Sequence, residues 1–269
     1  MLTSTTPSEW ARSLVSGAYD LHVHVAPDVM PRRVTDVQFA RRCWDAGLAG
    51  FVLKSHYVPT AERAAVVNEA LGGEVGVLGG LALNASIGGM NPLAATREVL
   101  KLAARHQLVV ATGHLAAPEI RAVADAALEA GVRHVIITHP DFPQQDLPLD
   151  DQLALARMGA FLERCFATPF TGNCGWAGML AGIKATGPGQ TIIATDLGQP
   201  GNPPVEGGLA LMADALRAAG FTDGEITTMI VDNSRLLAGA DPLPPDGGAV
   251  RPAGGAGLKP VVTVEREGT

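Results

Sequence analysis

Cysteine and aromatic residues are both scarce in this chain, with three Cys and 4% Phe, Trp and Tyr among 269 residues. Cys43, Cys165 and Cys174 show no Cys-x-x-Cys spacing, which argues against a disulfide framework and reads as free thiols in a reducing compartment. No apolar run reaches the length of a membrane-spanning helix. The first twenty residues, Met1 to Asp20, have neither a basic start nor a long apolar stretch, so no secretory signal is expected and the protein is read as cytoplasmic. Positive charge is in deficit: the formal net charge of −7 argues against nucleic acid or an anionic membrane as main partner. There is no Gly-x-Gly-x-x-Gly fingerprint for a dinucleotide, no Gly-x-Ser-x-Gly elbow for a serine hydrolase, and no repeat of solenoid length.

What remains is abundant Ala, Gly and aliphatic residue, and 47% of the chain is apolar. That suits a tightly packed α/β protein whose partner is a small-molecule substrate, with a homo-oligomer compatible. Strand-like and helix-like segments alternate. Strands are expected at Leu21–Val25, Gly50–His56, Val75–Asn84, Leu108–His114, Val132–His139, Phe161–Phe166 and Thr191–Asp196. Helical spacing falls between them, at Val34–Ala46, Ala61–Leu71, Leu93–His106, Pro118–Ala130, Leu149–Met158 and Gly175–Ala185, and after them at Val205–Ala219 and Asp223–Leu237. Repeated β-then-α implies parallel strands joined by crossover helices, and polar residues ending at least five strands fit a closed ring better than an open sheet. The expected fold is α/β, a distorted TIM-like (β/α) barrel of seven or eight parallel strands over residues 1–240. Residues 241–269 form a Pro/Gly-rich tail in which Leu258–Glu265 could add a short edge strand or contact another subunit.

The chemistry gathers at strand ends. In Asp20-Leu21-His22-Val23-His24 two imidazoles two residues apart share one strand face and can grip a divalent metal. His114 and His139 are each the first strongly polar side chain after a buried apolar run, and Asp196 ends Thr191-Ile192-Ile193-Ala194-Thr195 in the same way. His22, His24, His56, His114, His139 and Asp196 are therefore the candidate metal ligands, with Asp196 also the candidate proton acceptor. Lys54 shares a strand face with His56, and the sequence leaves three roles open for it: a carbamate bridging two metals, a cation for an anionic substrate group, or an ion-pair partner of Glu163 or Asp196. Glu163, alternating with apolar neighbours, is a candidate ligand or base, with an ordinary ion pair to Lys54 or Arg164 as the alternative. Arg32 and Arg33 after the first strand, and Gln199 and Asn202 after Asp196, are candidate substrate-binding residues. His106 and His134 lie at the wrong strand ends and are read as structural.

His-x-His on the first strand, single histidines ending two middle strands and a late Asp resemble the pattern of the amidohydrolase superfamily of metal-dependent hydrolases. Here these are His22, His24, His114, His139 and Asp196. Val231-Asp232-Asn233-Ser234-Arg235-Leu236-Leu237 is similar to the Asn…Arg-Leu-Leu helix that often ends those barrels. Leu53-Lys54-Ser55-His56 and Thr195-Asp196-Leu197-Gly198-Gln199 suggest an amidohydrolase-like subfamily of its own. The resemblance implies one or two divalent metals per chain, Zn²⁺ first with Mn²⁺ or Fe²⁺ as alternatives, and cleavage of a small amide, lactone or ester. His56 also gives some similarity to the polymerase-and-histidinol-phosphatase type of phosphoesterase. Phosphoester hydrolysis and metal-assisted decarboxylation are therefore alternatives, and a non-catalytic metal-binding protein is a further one.

Overall fold

Short apolar runs bounded by Gly and Pro become strands, and the stretches with helical spacing pack outside them. The computed structural model describes residues 5–82, 94–145, 147–243 and 261–263. Nine strands are present among them: β1 (Tyr19–Val23), β2 (Gly50–Leu53), β3 (Gly76–Leu78), β4 (Gly80–Ala82), β5 (Val109–Ala111), β6 (Val135–Thr138), β7 (Phe161–Cys165), β8 (Thr191–Ala194) and β9 (Val261–Thr263). They form two parallel sheets, ordered β1-β2-β3 and β4-β9-β5-β6-β7-β8. Only Gly79 separates β3 from β4. At the other side Asp196 N–H donates to the His22 carbonyl at 2.8 Å and His24 N–H to the Leu197 carbonyl at 3.0 Å, tying the end of β8 back to β1. The strands thus follow one another around a distorted TIM-like (β/α) barrel.

Between the strands run α1 (Glu9–Leu14), α2 (Asp36–Asp45), α3 (Ala61–Ala70), α4 (Ala94–Arg105), α5 (Ala117–Glu129), α6 (Leu149–Arg157), α7 (Ala167–Phe170), α8 (Trp176–Thr186), α9 (Gly208–Ala218), α10 (Asp223–Thr227) and α11 (Asn233–Ala238). Local chemistry sets several starts. Thr35 and Gln38 make a reciprocal capping box on α2, and Pro118 occupies the first turn of α5, where a missing N–H costs least. Strand side chains alternate between two cores. Val109, Ile136, Phe161 and Ile192 fill the barrel interior, while their neighbours Val110, Ile137, Leu162 and Ile193 pack under the helices. Each such burial contributes about 1.5–3 kcal/mol.

The structure revises four expectations. The single strand expected at Val75–Asn84 is divided, because Thr60 pairs with Gly80 through its Oγ1 and its backbone N–H, and a Cβ at Gly79 would lie 2.4 Å from Ala61 Cα; residues 83 and 84 lie outside the described residues. The strand within Leu258–Glu265 is not an edge: β9 pairs with β4 on one side and β5 on the other, satisfying backbone groups of both. The last helical stretch is broken by a π-helical turn at Thr228–Asp232. The short helices α1 and α7 have no counterpart among the expected segments, being too brief to show a period.

The Asn-Ser-Arg segment opening α11 closes the barrel floor. Asn233 Nδ2 donates to the Thr191 carbonyl at 2.7 Å, Ser234 Oγ accepts from Tyr19 N–H at 3.0 Å, and Arg235 Nη1 donates to the Gly17 carbonyl at 2.9 Å. These bonds hold the N-terminal ends of β1 and β8 side by side, which sets the two strands whose opposite ends carry the site.

Candidate metal centre

A β-bulge aims the His-x-His pair. Tyr19 and Leu21 pack into the barrel interior, but Val23 packs into the outer core. Pairing with β2 shows one extra residue on β1 between Asp20 and Val23, which shifts the alternation by one. His22 therefore joins Leu21 in lining the interior, and His24 follows two residues later at the mouth. Asp20 secures the bulge. Its buried carboxylate accepts from Thr195 Oγ1 at 2.5 Å, Thr195 N–H at 3.0 Å and His22 N–H at 3.2 Å, pinning β8 to β1 one residue before Asp196. Burial lifts the Asp20 carboxyl to about 7, with the bonds from Thr195 and His22 pulling the other way.

Five imidazoles close a ring at the C-terminal mouth of the barrel. Going round, the centroid separations are 5.3 Å (His22–His24), 5.1 Å (His24–His56), 5.7 Å (His56–His114), 5.1 Å (His114–His139) and 5.0 Å (His139–His22). Asp196 is the focus of three of them. Its Oδ1 lies 3.3 Å from both His22 Nε2 and His24 Nε2, and its Oδ2 lies 3.6 Å from His139 Nε2. Both His139 and Asp196 hold positive φ, 49° and 51°, a conformation non-glycine residues seldom adopt. Gly198 is required by close approach: its φ is +139°, and a Cβ there would stand 1.8 Å from the His24 carbonyl oxygen.

The charges suit a cation. Burial, helped by the Lys54 charge, holds His22 well below its ordinary pKa; burial also lowers His24, and takes His139 down to about 3. Their imidazoles are neutral and offer lone pairs. Burial pushes Asp196 upward, but its histidine neighbours, His22 foremost, overturn this and hold the carboxyl well below the usual range. Among the described residues, His22 Nε2, although 3.3 Å from a carboxylate oxygen, makes no hydrogen bond, and the buried Nδ1 atoms of His24 and His139 have no hydrogen-bond partner either. A buried lone pair beside an ionised carboxylate is costly unless a cation lies between them. Neutral imidazoles plus one carboxylate fit a divalent ion, and His22, His24 and Asp196 form one close donor group, His22, His139, Glu163 and Cys165 another.

Glu163 does not pair with Arg164. The two side chains leave β7 on opposite faces: Arg164 runs outward to Asp141 at 2.5 Å and Gln152 at 2.8 Å, while Glu163 Oε2 lies 3.2 Å from His22 Nδ1. Burial raises its carboxyl. Lys54 is buried just beyond β2 and lines, with His22, Glu163 and Thr138, a cavity of about 20 Å³ beneath the histidines, room for a water. At the rim, Arg32 Nε pairs with Asp28 at 2.7 Å and its charge acts on His24. Arg33 Nη1 donates to the carbonyls of Pro200 and Asn202, and Asn202 Nδ2 donates to Gln199 Oε1 at 2.7 Å. These three brace the loop behind Asp196. His106 is exposed at the end of α4 and His134 precedes β6, both away from the mouth. Tyr57 and Phe142 flank the imidazole ring, with Phe142 centred 5.8 Å from His139. Sequence reading passed over Cys165 and Asp20. Cys165 stands two residues after Glu163, so strand parity was the available signal; Asp20 gave none, since its partner Thr195 is 175 residues away.

The parallel (β/α) barrel thus carries this group of candidate ligands at its C-terminal mouth. The chain itself belongs to the family described as "Family of unknown function (DUF6282)", whose model matches residues 17–97 and 93–163, more than half of the sequence. No match is found among curated proteins. Among solved structures it is similar to a protein described as a 2-pyrone-4,6-dicarboxylic acid hydrolase from Pseudomonas putida, at TM-score 0.59 and 16% identity over 82% of this chain and 97% of that one. It is also similar to a beta-aspartyl dipeptidase from Fervidobacterium islandicum (TM-score 0.52, 13% identity, 82% and 72% covered) and an amidohydrolase from Burkholderia multivorans (TM-score 0.50, 10% identity, 82% and 98% covered). At such identities the likeness is one of fold. The similarity to polymerase-and-histidinol-phosphatase enzymes finds no support in these comparisons, and Gly198 stands where that pattern expects a histidine. No helix among the described residues is long and apolar enough to cross a membrane.

Proposed function

We propose that this protein is a metal-dependent hydrolase acting on an amide, lactone or ester bond of a small anionic molecule. The observation that carries the reading is the convergence of His22, His24 and His139 Nε2 atoms on the two oxygens of Asp196 at the barrel mouth. These four residues would hold the ion, and His56 and His114, the remaining members of the ring, extend the donor set towards a second one. Zn²⁺ suits a histidine-rich set first, with Mn²⁺ and Fe²⁺ as alternatives. When bound, such an ion supplies Lewis acidity and makes water more acidic. Asp196, held ionised, accepts the proton of the attacking water at its carboxylate and returns it to the leaving group. Glu163 accepts from His22 Nδ1–H, which fixes the tautomer that turns the Nε2 lone pair to the mouth. Lys54 supplies positive charge to an anionic group of substrate or transition state, and Arg32 supplies it from the rim. Relatives of this fold that act on a dicarboxylic lactone, by description, and on a dipeptide support the substrate class.

Two measurements test this. Elemental analysis of freshly purified protein should show at least one divalent ion per chain, and a panel of lactones, cyclic amides and carboxylic esters should reveal chelator-sensitive turnover. Lys54→Ala should then keep its metal and lose turnover. A metal-free protein that gains neither activity nor stability from Zn²⁺ or Mn²⁺ would refute the proposal, and turnover confined to phosphoesters would replace it.

A further inference from the structure

His22 is approached by donors from two sides. Its Nε2 faces Asp196, and its Nδ1 faces β7, 3.2 Å from Glu163 Oε2 and 3.9 Å from Cys165 Sγ. His139 completes the second group, in which all four donor atoms lie within 4.8 Å of one another. None of the four residues is more than 3% exposed. The group is built by strand geometry: Glu163 and Cys165 share the inward face of β7, His139 follows the adjoining β6, and His22 is delivered by the bulge in β1. A buried thiol that only fills space is expected among apolar atoms. Cys165 instead sits beside two imidazoles and a carboxylate, and the proposed hydrolysis makes no use of it.

We infer that His22, His139, Glu163 and Cys165 form a second, deeper metal position that takes thiophilic divalent cations, Cd²⁺ and Zn²⁺ before Mn²⁺ or Mg²⁺. Two nitrogens, one oxygen and one sulfur make a tetrahedral set, and the sulfur sets the preference for soft ions. Loading forms a metal–sulfur bond as the thiol proton leaves to solvent, and a metal–nitrogen bond at His22 Nδ1 as the ring proton moves from Nδ1 to Nε2, where it faces Asp196; no oxidation state changes. A neutral imidazole has one lone pair to give. Occupying the deep position through Nδ1 therefore withdraws His22 from the set at the mouth, so thiophilic ions would divert the centre as well as bind it. The inference shares His22 and His139 with the proposed hydrolase without resting on it, because it is read from the sulfur–metal bond.

The test is a Cd²⁺ titration of protein stripped by chelator, followed by the ultraviolet sulfur-to-cadmium charge-transfer band. The band should grow to saturation at about one equivalent per chain. It should vanish in Cys165→Ser and persist in Cys43→Ser, whose thiol is buried in α2, and in Cys174→Ser. Cadmium-113 NMR of the unmutated protein gives the same answer without any variant, since a thiolate ligand moves the resonance downfield from the range of nitrogen and oxygen ligands. Cadmium uptake without a charge-transfer band, or a band that survives Cys165→Ser, would overturn the inference and leave the mouth set standing, whereas no uptake at all would overturn both.

Discussion

Glu163 Oε2 lies 3.2 Å from His22 Nδ1, on the side of the ring opposite the nitrogen that faces Asp196. A carboxylate behind a liganding imidazole fixes its tautomer and raises its basicity. Glu163→Gln keeps the size of the side chain but removes the charge. Metal affinity in this variant should fall by about tenfold to a hundredfold. Competition against a chromophoric chelator reads this directly, and unchanged affinity would assign Glu163 another role.

Asp196 is both the oxygen ligand and the proton acceptor in the proposed reaction. Asp196→Asn preserves shape and one acceptor oxygen while abolishing the base. The fold should survive, with much of the metal retained at the histidines, and turnover on the identified substrate should drop by about a hundredfold or more. Circular dichroism, metal content and steady-state rates together separate loss of base from loss of fold.

Gly198 has no substitute in its present conformation. An alanine Cβ would collide with the His24 carbonyl oxygen at 1.8 Å, so the end of β1 or the loop after Asp196 must move. Gly198→Ala should cost about 1–3 kcal/mol or more and weaken metal binding with it. Thermal melts with and without added Zn²⁺ check both parts. The control Gly220→Ala keeps the strain of positive φ but meets no atom within 4 Å.

Acid should destabilise the metal-stripped protein. His22, His24 and His139 titrate lower in the folded chain than the ordinary histidine value of 6.5, with His139 at about 3. Between those values these three groups bind more protons in the unfolded chain, so their contribution to stability rises with pH and is lost as pH falls; Asp20, lifted to about 7, and Glu163, also raised, act in the opposite sense, two groups against three. Urea midpoints should decline from pH 7 to pH 4, and His139→Gln should flatten the slope. A flat profile in the unsubstituted protein would mean that the raised carboxyls of Asp20 and Glu163 offset the histidines.

Asp20 joins three donors from two strands, and Asp20→Ala leaves them buried without partners. The expected loss is about 1–3 kcal/mol of stability for an unsatisfied buried group, together with weaker metal binding because Thr195 no longer holds Asp196 in place. Asp20→Asn should recover part of both, since its amide oxygen can still accept from Thr195.

Composition and the period of apolar residues decided that this chain would alternate parallel strands with helices; the His-x-His spacing marked His22 and His24, and the first strongly polar residue after a buried run marked His114, His139 and Asp196. Those signals are local: a strand too apolar to leave the core must end where a polar group meets the mouth, so position along the chain stands in for position in space. Facing and partnership are not local. The bulge that turns His22 inward exists only in the pairing of β1 with β2, and no period in the sequence shows an extra residue. Glu163 could be given to Arg164 until β7 took its place in the ring, turned Arg164 outward and put the carboxylate behind His22. That Arg33 Nη1 meets carbonyls of the loop after β8, 167 and 169 residues on, was not visible in the sequence either. The strand near the C-terminus was foreseeable, but its place between β4 and β5 was not. Unpaired backbone groups on two strands distant from it in sequence chose that slot, and only the tertiary structure brings them to either side of it.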